Sequence, residues 1–345
     1  SGTPPLMIDD AGVVAALPIP PLEYKDMSIN RKPYKEDLFS VSEFDGIPDD
    51  GLDDTEAFIQ AIAAANTNNG GIVFVPHGTW DITGSFTLEA GVELRGIAGG
   101  RYNAHRSASM GSVIRITGDG GQPNGTPVFK LVDDCGVRGI TFHYPDQPAS
   151  NLVLEPTEDT FIKYPFTIKA TGDNIYLSDC YVSNPYQFVH FYRADNHLFE
   201  KSMIGGLRTS ILVQECENGR VQKSNIKPVA AWKTMDGDYP DTEDKRNMLK
   251  RYCQEFTRSI RIENSTNQVI YSLFNHGAFE FLSIDDSSGY GCMIGTEVVN
   301  TAYHFSGSED FYLAMADNYT SGYGVNGDPL YATWCDTNFS GTVYK

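Results

Sequence analysis

Short runs of alternating apolar and polar residues recur along the middle of this 345-residue chain at a regular spacing. Pairs of such runs meet at Asn174, Asn196, Asn218 and Asn267. The first two steps between these asparagines are 22 residues each, and the third is one further step plus an insertion. A period of about 20–25 residues made of short strands, without long helical runs, is typical of a solenoid.

The period predicts an all-β fold, a single-stranded right-handed parallel β-helix in which each repeat is one coil of short strands and turns. Leucine-rich repeats share the period but need a Leu/Asn framework that this sequence lacks. Asparagine suits the corner of a coil because it tolerates left-handed backbone angles and can hydrogen-bond within its own turn. We therefore expect the asparagines to stack in one column that Ser288 continues, with amides able to bond each other.

The pattern divides the chain into an arm and one domain. Residues 1–40 hold many prolines and no periodicity, which predicts an extended N-terminal arm lying on the body. Residues 41–345 form the β-helix domain, with an insertion at 229–258 that contains an acidic turn and a short helix. From residue 303 the pattern loosens and no C-terminal cap is evident. We therefore expect a partner, a further segment or another form of shielding at that end.

Residues 41–100 predict the entrance to the solenoid. Asp53 or Asp54 can N-cap a helix from about Thr55 to Asn66, with Glu56 favourable in its first turn. A buried strand, IVFVP, follows and leads into a turn. We expect this helix to cap the N-terminal end of the solenoid, where bare strand edges would otherwise be exposed.

The same stretch resembles the opening of the pectate-lyase-like (pectin lyase fold) parallel β-helix superfamily, in its glycosidase- and lyase-related branch. The matching residues are Asp50, Gly51, Asp53, Asp54, Thr55, Gly70, Gly71, Val73, Pro76, Gly78 and Trp80. The resemblance covers about residues 41–228. It implies the fold more specifically than the chemistry, since this superfamily hosts lyases, hydrolases, epimerases, phage tailspikes and binding modules.

Composition narrows the choice of partner. The formal net charge of −19 argues against nucleic acid, which needs a basic surface, and disfavours a polyanionic substrate unless local Arg, Lys or a bound cation reverses the field. No apolar run of about 18 residues is present, so we expect no membrane span.

The six cysteines form no CxxC pair, which disfavours a zinc site. The cysteines suit core or stacking positions, and the sequence neither assigns nor excludes disulfide bonds among them. The first residues, SGTPPLMIDD, read as a mature or trimmed N-terminus, and we expect a secreted, cell-surface or periplasmic protein.

The repeat also predicts which side chains face outward on one wall of the solenoid. If Val189, Ile211, Ile260 and Phe281 point inward, three outward columns follow. They are Ile168/His190/Leu212/Arg261/Leu282, Ala170/Tyr192/Gln214/Glu263/Ile284 and Thr171/Arg193/Glu215/Asn264/Asp285.

Three carboxylates among these residues are the catalytic candidates, Glu215, Glu263 and Asp285. Successive coils lie about 4.8 Å apart. Glu215 with Glu263, on neighbouring coils, suits the separation of about 5–5.5 Å in a retaining glycosidase. Glu215 with Asp285, roughly 10 Å apart on one ridge, suits the longer separation in an inverting enzyme.

Further residues are candidates for substrate binding. They are His190, Tyr192, Arg193, Arg208, Trp232, Asp236, Asp238, Tyr239 and His276. Asp236 and Asp238 lie in a Gly/Pro turn that can bind calcium, although the EF-hand spacing is not completed. Trp232 and Tyr239 flank this turn and suit stacking on sugar rings.

These features predict a carbohydrate-active enzyme, a glycoside hydrolase in which two carboxylates serve as acid and as base or nucleophile. One alternative is a polysaccharide lyase assisted by calcium or Arg. Another is a non-catalytic glycan-binding or tailspike-type β-helix, either as an oligomer or beside a further domain at the uncapped end.

Overall fold

The computed structural model describes residues 6–8, 14–16, 31–99, 111–147, 153–228, 243–297, 301–307, 311–319, 331–336, 339 and 343–344. Within them the chain forms a right-handed parallel β-helix, as the sequence predicts. A short antiparallel pair, β1 (Leu6–Ile8) and β2 (Val14–Ala16), precedes it. In the described part of the chain, no helix is long and apolar enough to cross a membrane.

The walls of the solenoid are parallel sheets to which each coil adds one strand. The first face contains β3 (Leu38–Ser40), β4 (Gly71–Phe74), β7 (Val92–Arg95), β10 (Gly136–Arg138), β13 (Tyr176–Ser178) and β16 (Leu198–Glu200). The second face contains β5 (Gly78–Ile82), β8 (Ser112–Ile116), β11 (Ile140–His143), β14 (Tyr181–Val182) and β17 (Met203–Ile204).

Later coils join the first two faces into one sheet. The joined strands are β19 (Arg220–Ile226), β21 (Gln268–His276), β23 (Gly289–Glu297), β25 (Phe311–Tyr319) and β27 (Val343–Tyr344). The third sheet is separate and carries β6 (Phe86–Leu88), β9 (Phe129–Leu131), β12 (Phe166–Ala170), β15 (Gln187–Tyr192), β18 (Thr209–Gln214), β20 (Arg258–Glu263), β22 (Glu280–Asp285), β24 (Thr301–Ser306) and β26 (Tyr331–Cys335).

The predicted asparagine column is confirmed. Asn174, Asn196, Asn218 and Asn267 all have left-handed backbone angles, with φ between 52° and 59°. The Asn267 side-chain amide donates to Asn218 Oδ1 at 2.5 Å. The backbone N–H of Asn267 donates to Ser288 Oγ at 3.3 Å, so Ser288 continues the column.

Aromatic side chains fill the interior of successive coils. Ring centroids lie 5.8 Å apart for Phe58 and Phe86, 5.1 Å for Phe86 and Phe129, and 6.0 Å for Phe129 and Phe142. Phe188 continues this series 5.7 Å from Phe142. These side chains are at most 5% exposed, and replacing one with alanine typically costs about 3–5 kcal/mol.

Four cysteines occupy buried positions, as expected for core or stacking residues. Cys135, Cys180, Cys216 and Cys253 are buried free thiols, and Cys292 is half-buried and free. Burial raises the pKa of the Cys216 thiol to about 11, so this side chain stays protonated and unreactive near neutral pH.

The first helix, α1, spans Thr55–Thr67 and is preceded by a short 3-10 helix, Val41–Phe44. Asp54 occupies the N-cap position, but its side chain does not cap the helix. Its carboxylate accepts from the backbone N–H of Ile47 and of Asp81, both at 3.1 Å, and so ties the helix entrance to β5. Helix α1 packs against β3, β4 and β6; its role as a cap stays a prediction.

The second helix, α2 (Glu243–Phe256), begins four residues before the predicted NMLKRYCQEF segment. Its buried side chains Leu249, Tyr252 and Cys253 form a separate apolar cluster with Phe161 and Leu207. The Phe161 and Tyr252 rings meet edge to face at 4.7 Å. This cluster fixes α2 and the segment around Phe161 beside the start of β18. The acidic turn of the insertion lies outside the described residues.

The described end of the N-terminal arm contacts the first face. The backbone N–H of Tyr34 donates to Gly91 O at 3.1 Å, and the Tyr34 hydroxyl donates to Asp134 Oδ2 at 2.5 Å. The Arg138 guanidinium donates to Arg31 O at 3.1 Å. The boundary between arm and domain at residue 40 stays a prediction.

Candidate functional site

The pairing of the third sheet corrects the predicted outward columns at both ends. Val189, Ile211 and Ile260 are paired as expected. Their partner on β22, however, is Leu282 instead of Phe281, and their partner on β12 is Ile168. Alternation could not reveal this shift, because both Phe281 and Leu282 are fully buried. Ile168, Ala170, Leu282 and Ile284 therefore face the core, not the outside.

Three outward columns result, which we number from the start of the strands. The first column is Phe166, Gln187, Thr209, Arg258, Glu280 and Thr301. The second is Lys169, His190, Leu212, Arg261, Ser283 and His304. The third is Tyr192, Gln214, Glu263, Asp285 and Ser306.

Glu263 and Asp285, which we call the carboxylate pair, are direct neighbours in the third column. Gln214 Nε2 donates to Glu263 Oε2 at 3.2 Å, and the Arg261 guanidinium donates to Glu263 Oε1. The Ser306 hydroxyl donates to Asp285 Oδ1. Both carboxylates are half-buried. The pair is thus oriented by neighbouring side chains and remains open to solvent.

Glu215 lies in a different column, so the predicted ridge of Arg193, Glu215 and Asp285 is wrong. The residues that follow the strands adopt left-handed angles, with φ of 50° at Arg193, 54° at Glu215, 48° at Asn264 and 42° at Asp286. Glu215 Oε2 pairs with Arg193 Nε at 2.7 Å, and both side chains are exposed. The positive φ turns Glu215 out of the alternation that the prediction assumed.

Gln214 links the carboxylate pair to His190. Gln214 Oε1 lies 3.2 Å from His190 Nε2, and Gln214 already donates through its amide nitrogen to Glu263. His190 must therefore be the donor in this contact. Burial, together with the Lys169 and Arg261 charges, lowers the pKa of His190 to about 4, so the ring is neutral near pH 7.

An aromatic shelf lies on β12 and β15, three and two strands before the strand of Glu263. It consists of Phe166, His190 and Tyr192, with ring centroids 5.2 Å apart for the first two and 5.6 Å for the last two. The Lys169 ammonium lies 5.2 Å from the Tyr192 ring centroid, and the Arg193 guanidinium lies 5.1 Å from it. The predicted binding residues His190, Tyr192 and Arg193 are therefore together on one outer surface.

Arg208 stands beside the first column, immediately before β18. It donates to Phe256 O at 2.7 Å and lies 3.4 Å from Glu158 Oε1. It thereby ties the end of α2 and the segment around Glu158 to the edge of the third sheet. These elements form a wall along the starts of the strands.

His304 connects the last coils of the third sheet. Its Nδ1 lies 2.7 Å from Glu280 Oε2, and its Nε2 lies 3.1 Å from Asp336 Oδ1. Arg258 Nε is 3.9 Å from the other Glu280 oxygen, and the Glu280 side chain is only 6% exposed. The sequence pattern did not point to this bridge. The alternation of apolar and polar residues in TAYHFS could have placed His304 on the outer surface of the sheet. This segment, however, lies where the repeat becomes irregular.

The bridge predicts a stability contribution that falls as the pH rises. The hydrogen bond to Glu280 raises the pKa of His304 above 6.5, and Asp336 acts in the same direction. A group whose pKa is raised by folding stabilises the folded protein fully at pH values below its unfolded-state pKa. This stabilisation is lost as the pH rises through the folded-state pKa. We expect His304→Gln to lower the thermal unfolding midpoint at about pH 6 and to change it much less at about pH 9.

Thermal unfolding of both proteins in parallel measures this effect. Burial lowers the pKa values of His190 and His197 to about 4. Both residues are present in the parent and in the variant, so their contribution cancels when the two unfolding midpoints are subtracted. An equal loss at both pH values would show that His304 stabilises through packing instead of charge.

The remaining candidates are elsewhere. His276 ends β21 and pairs with Glu297 of β23, so it lies on the joined sheet instead of the third sheet. Trp232, Asp236, Asp238 and Tyr239 lie outside the described residues, and with them the possible calcium turn. Among the residues that the structure describes, no group of three or more His, Cys, Asp or Glu side chains is arranged to hold a metal ion.

Comparison with known proteins supports the fold. The family model described as rhamnogalacturonase A/epimerase, pectate lyase-like, matches residues 38–177. That segment contains the motif residues from Asp50 to Trp80, and the resemblance to the pectate-lyase-like superfamily is confirmed. No curated protein matches this sequence.

Several solved structures share the fold at low identity. A DFA-IIIase mutant from Arthrobacter chlorophenolicus A6 aligns with a TM-score of 0.51 and 9% identity, over 90% of this chain and 95% of its own. Pantoea stewartii WceF, a glycan biofilm modifying enzyme with a tailspike-like parallel β-helix, aligns with a TM-score of 0.50 and 9% identity, over 86% of this chain and 38% of its own. The enzymatically active domain of bacteriophage CBA120 tailspike protein 2 aligns with a TM-score of 0.50 and 14% identity, over 90% of this chain and 47% of its own. At these identities the likeness shows the parallel β-helix alone.

Proposed function

We propose that this protein is a glycoside hydrolase that acts outside the cytoplasm and cleaves an oligosaccharide or polysaccharide on the outer surface of the third sheet. The observation that carries this proposal is the carboxylate pair. Glu263 and Asp285 are register neighbours on adjacent parallel strands and are open to solvent. Two carboxylic groups flanking one bond are what most glycoside hydrolases require.

The hydrogen bonds support a different proposed role for each of the two carboxylates. Glu263 accepts from a guanidinium and an amide, which suits an ionised group that attacks the anomeric carbon. Asp285 has a hydroxyl partner and a carboxylate neighbour, which suits the group that protonates the leaving oxygen. A water molecule then releases the glycosyl group from Glu263, with Asp285 accepting the proton of that water.

The spacing predicts the stereochemical outcome. Adjacent strands of a sheet are about 4.8 Å apart, close to the 5–5.5 Å separation of the carboxyl groups in retaining enzymes. The longer separation in inverting enzymes, about 6.5–9.5 Å, would require carboxylates from non-adjacent coils or divergent side chains. We therefore propose a retaining mechanism.

The aromatic shelf supports a carbohydrate substrate. Tyr192 and Glu263 occupy the same column two strands apart, about 10 Å along the solenoid axis. A glycan lying along the axis would place one sugar on the carboxylate pair and another on the Tyr192 ring. Lys169 and Arg193 flank that ring, so two cations lie beside the proposed sugar position although the whole chain is acidic and Arg193 is paired with Glu215.

Incubation with a panel of plant, algal and microbial glycans, with and without calcium, tests the proposed function. Products are followed by mass and by the ultraviolet absorbance of unsaturated uronides. We expect fragments that have gained one water each and no new absorbance. Absorbing products would establish a lyase instead, and an absence of cleavage with retained glycan binding would indicate a binding module.

A further inference from the structure

A cavity of about 320 Å³ opens on the joined sheet, which shares no strand with the third sheet. It is lined by side chains and backbone of β19, β21 and β23, namely Lys223, Ser224, Asn225, Ser272, Leu273, Phe274 and Met293. Its volume is at the small end of the range for ligand sites and is large enough for a single sugar ring.

The cavity exists because one small residue interrupts a ridge of longer side chains. The coils from β10 onward place one residue in a left-handed conformation where the first face meets the second. The values of φ are 70° at Gly139, 55° at Asp179, 49° at Lys201, 48° at Lys223, 51° at Ser272 and 54° at Met293. We call the last four of these residues, from Lys201 to Met293, the ridge. Ser272 is the only short side chain among them, so a gap opens between Lys223 and Met293.

The next coil keeps the floor of the gap open. Phe274 lies two residues beyond Ser272, and its register neighbour on β23 is Gly295. A Cβ atom at Gly295 would lie 3.1 Å from Phe274 Cδ2, so a larger side chain there would press on the ring. The Lys227 ammonium lies 4.7 Å from the Phe274 ring centroid and holds the aromatic side chain in place.

The lining combines the groups that recognise a sugar. Phe274 and the 47% exposed Met293 offer an apolar surface for the C–H face of a pyranose ring. The Ser272 hydroxyl and the Asn225 amide provide donors and acceptors for ring hydroxyls, and the Lys223 ammonium stands at the rim. A purely apolar ligand would displace water from the Ser272 hydroxyl and the Asn225 amide without replacing its hydrogen bonds, and a lone anion would make no use of the Phe274 ring.

We propose that this cavity is a second carbohydrate-binding site that holds one sugar residue of a glycan and does not cleave it. With the carboxylate pair on the third sheet and the cavity on the joined sheet, the protein grips its glycan at two separate surfaces. This inference goes beyond the proposed hydrolase, because the cavity binds sugar whether or not the third sheet cleaves it.

Binding of oligosaccharides of graded length, neutral and uronate, to the full chain carrying Glu263→Gln tests the proposal. Isothermal titration calorimetry then reports binding without turnover. In that background we expect Phe274→Ala to weaken one class of binding roughly tenfold, the loss of about 1.4 kcal/mol that removal of an aromatic contact brings. Tyr192→Ala should weaken a different class, that of the third sheet.

A matched pair of ridge variants separates filling of the cavity from damage to the fold. Ser272→Asn enlarges the side chain in the gap, and Asn tolerates the left-handed angle. Lys201→Asn makes the same type of change on the ridge away from the cavity. We expect Ser272→Asn to weaken the Phe274-dependent binding and Lys201→Asn to leave it unchanged.

The outcomes distinguish this inference from the proposed function. Binding that depends on Tyr192 but is indifferent to Phe274 and Ser272 would overturn the second site and leave the hydrolase intact. Phe274-dependent binding in a chain without any turnover would support the second site while the hydrolase fails. Absence of any glycan binding would overturn the second site.

Discussion

Glu263→Gln is expected to reduce glycan turnover by at least about 10³-fold, since loss of a general acid or base alone typically costs 10²–10⁴-fold and loss of the nucleophile removes the covalent step itself. The amide keeps the size of the side chain, and its single oxygen can still accept the hydrogen bond from Arg261, although not the one from Gln214 as well. It cannot attack the anomeric carbon. Because the change is nearly isosteric, the thermal unfolding midpoint should move little. Initial rates on the cleaved glycan, with unfolding curves for both proteins, measure the effect.

The matched control is Glu215→Gln, which changes a carboxylate of the same sheet outside the third column. Its partner Arg193 and Glu215 itself are both exposed, so the ion pair contributes little to stability. We expect this variant to keep most of its turnover. A large loss in Glu215→Gln together with a mild one in Glu263→Gln would return the catalytic role to Glu215.

Gly136→Ala is expected to lower the free energy of unfolding by about 3 kcal/mol through steric overlap and a broken buried hydrogen bond. A Cβ atom at Gly136 would lie 2.0 Å from Tyr176 Cζ, because the tyrosine ring lies flat over the glycine. In this position the Tyr176 hydroxyl donates to Glu93, whose side chain is fully buried. Displacing the ring removes that donor from the buried carboxylate.

Gly120→Ala provides the control, because its Cβ would meet no atom closer than 3.2 Å. Urea denaturation of the three proteins gives the comparison. Equal stability of Gly136→Ala and the parent would mean that Tyr176 can leave Glu93 without cost, and that Arg95 and Arg138 alone satisfy the carboxylate.

The repeat could be predicted from the sequence because its signal is local. Each corner asparagine specifies its own left-handed turn, and the alternation of apolar residues specifies the strands beside it. The joining of the first two faces from β19 onward was not predictable in the same way. It depends on how Lys223 and its neighbours bend a continuous strand, which the apolar pattern does not reveal.

The outer surface of the third sheet was predicted only in part. His190, Tyr192 and Glu263 were placed correctly, because Val189, Ile211 and Ile260 are the inward-facing register partners that the prediction assumed. The predicted register of Asp285 was wrong by one residue, because two consecutive buried residues precede it on β22. Side-chain links such as Gln214 between His190 and Glu263 join residues far apart in sequence, so only the folded chain reveals them.

The anomeric configuration of the first-formed product tests the central claim most directly. Proton NMR spectra, recorded from the moment of mixing glycan and enzyme, distinguish the two anomers before mutarotation equilibrates them. With Glu263 as nucleophile and Asp285 as acid on adjacent strands, the product should first form with the configuration of the cleaved bond. Initial formation of the inverted anomer, or of an unsaturated uronide without added water, would contradict the assignment of this pair.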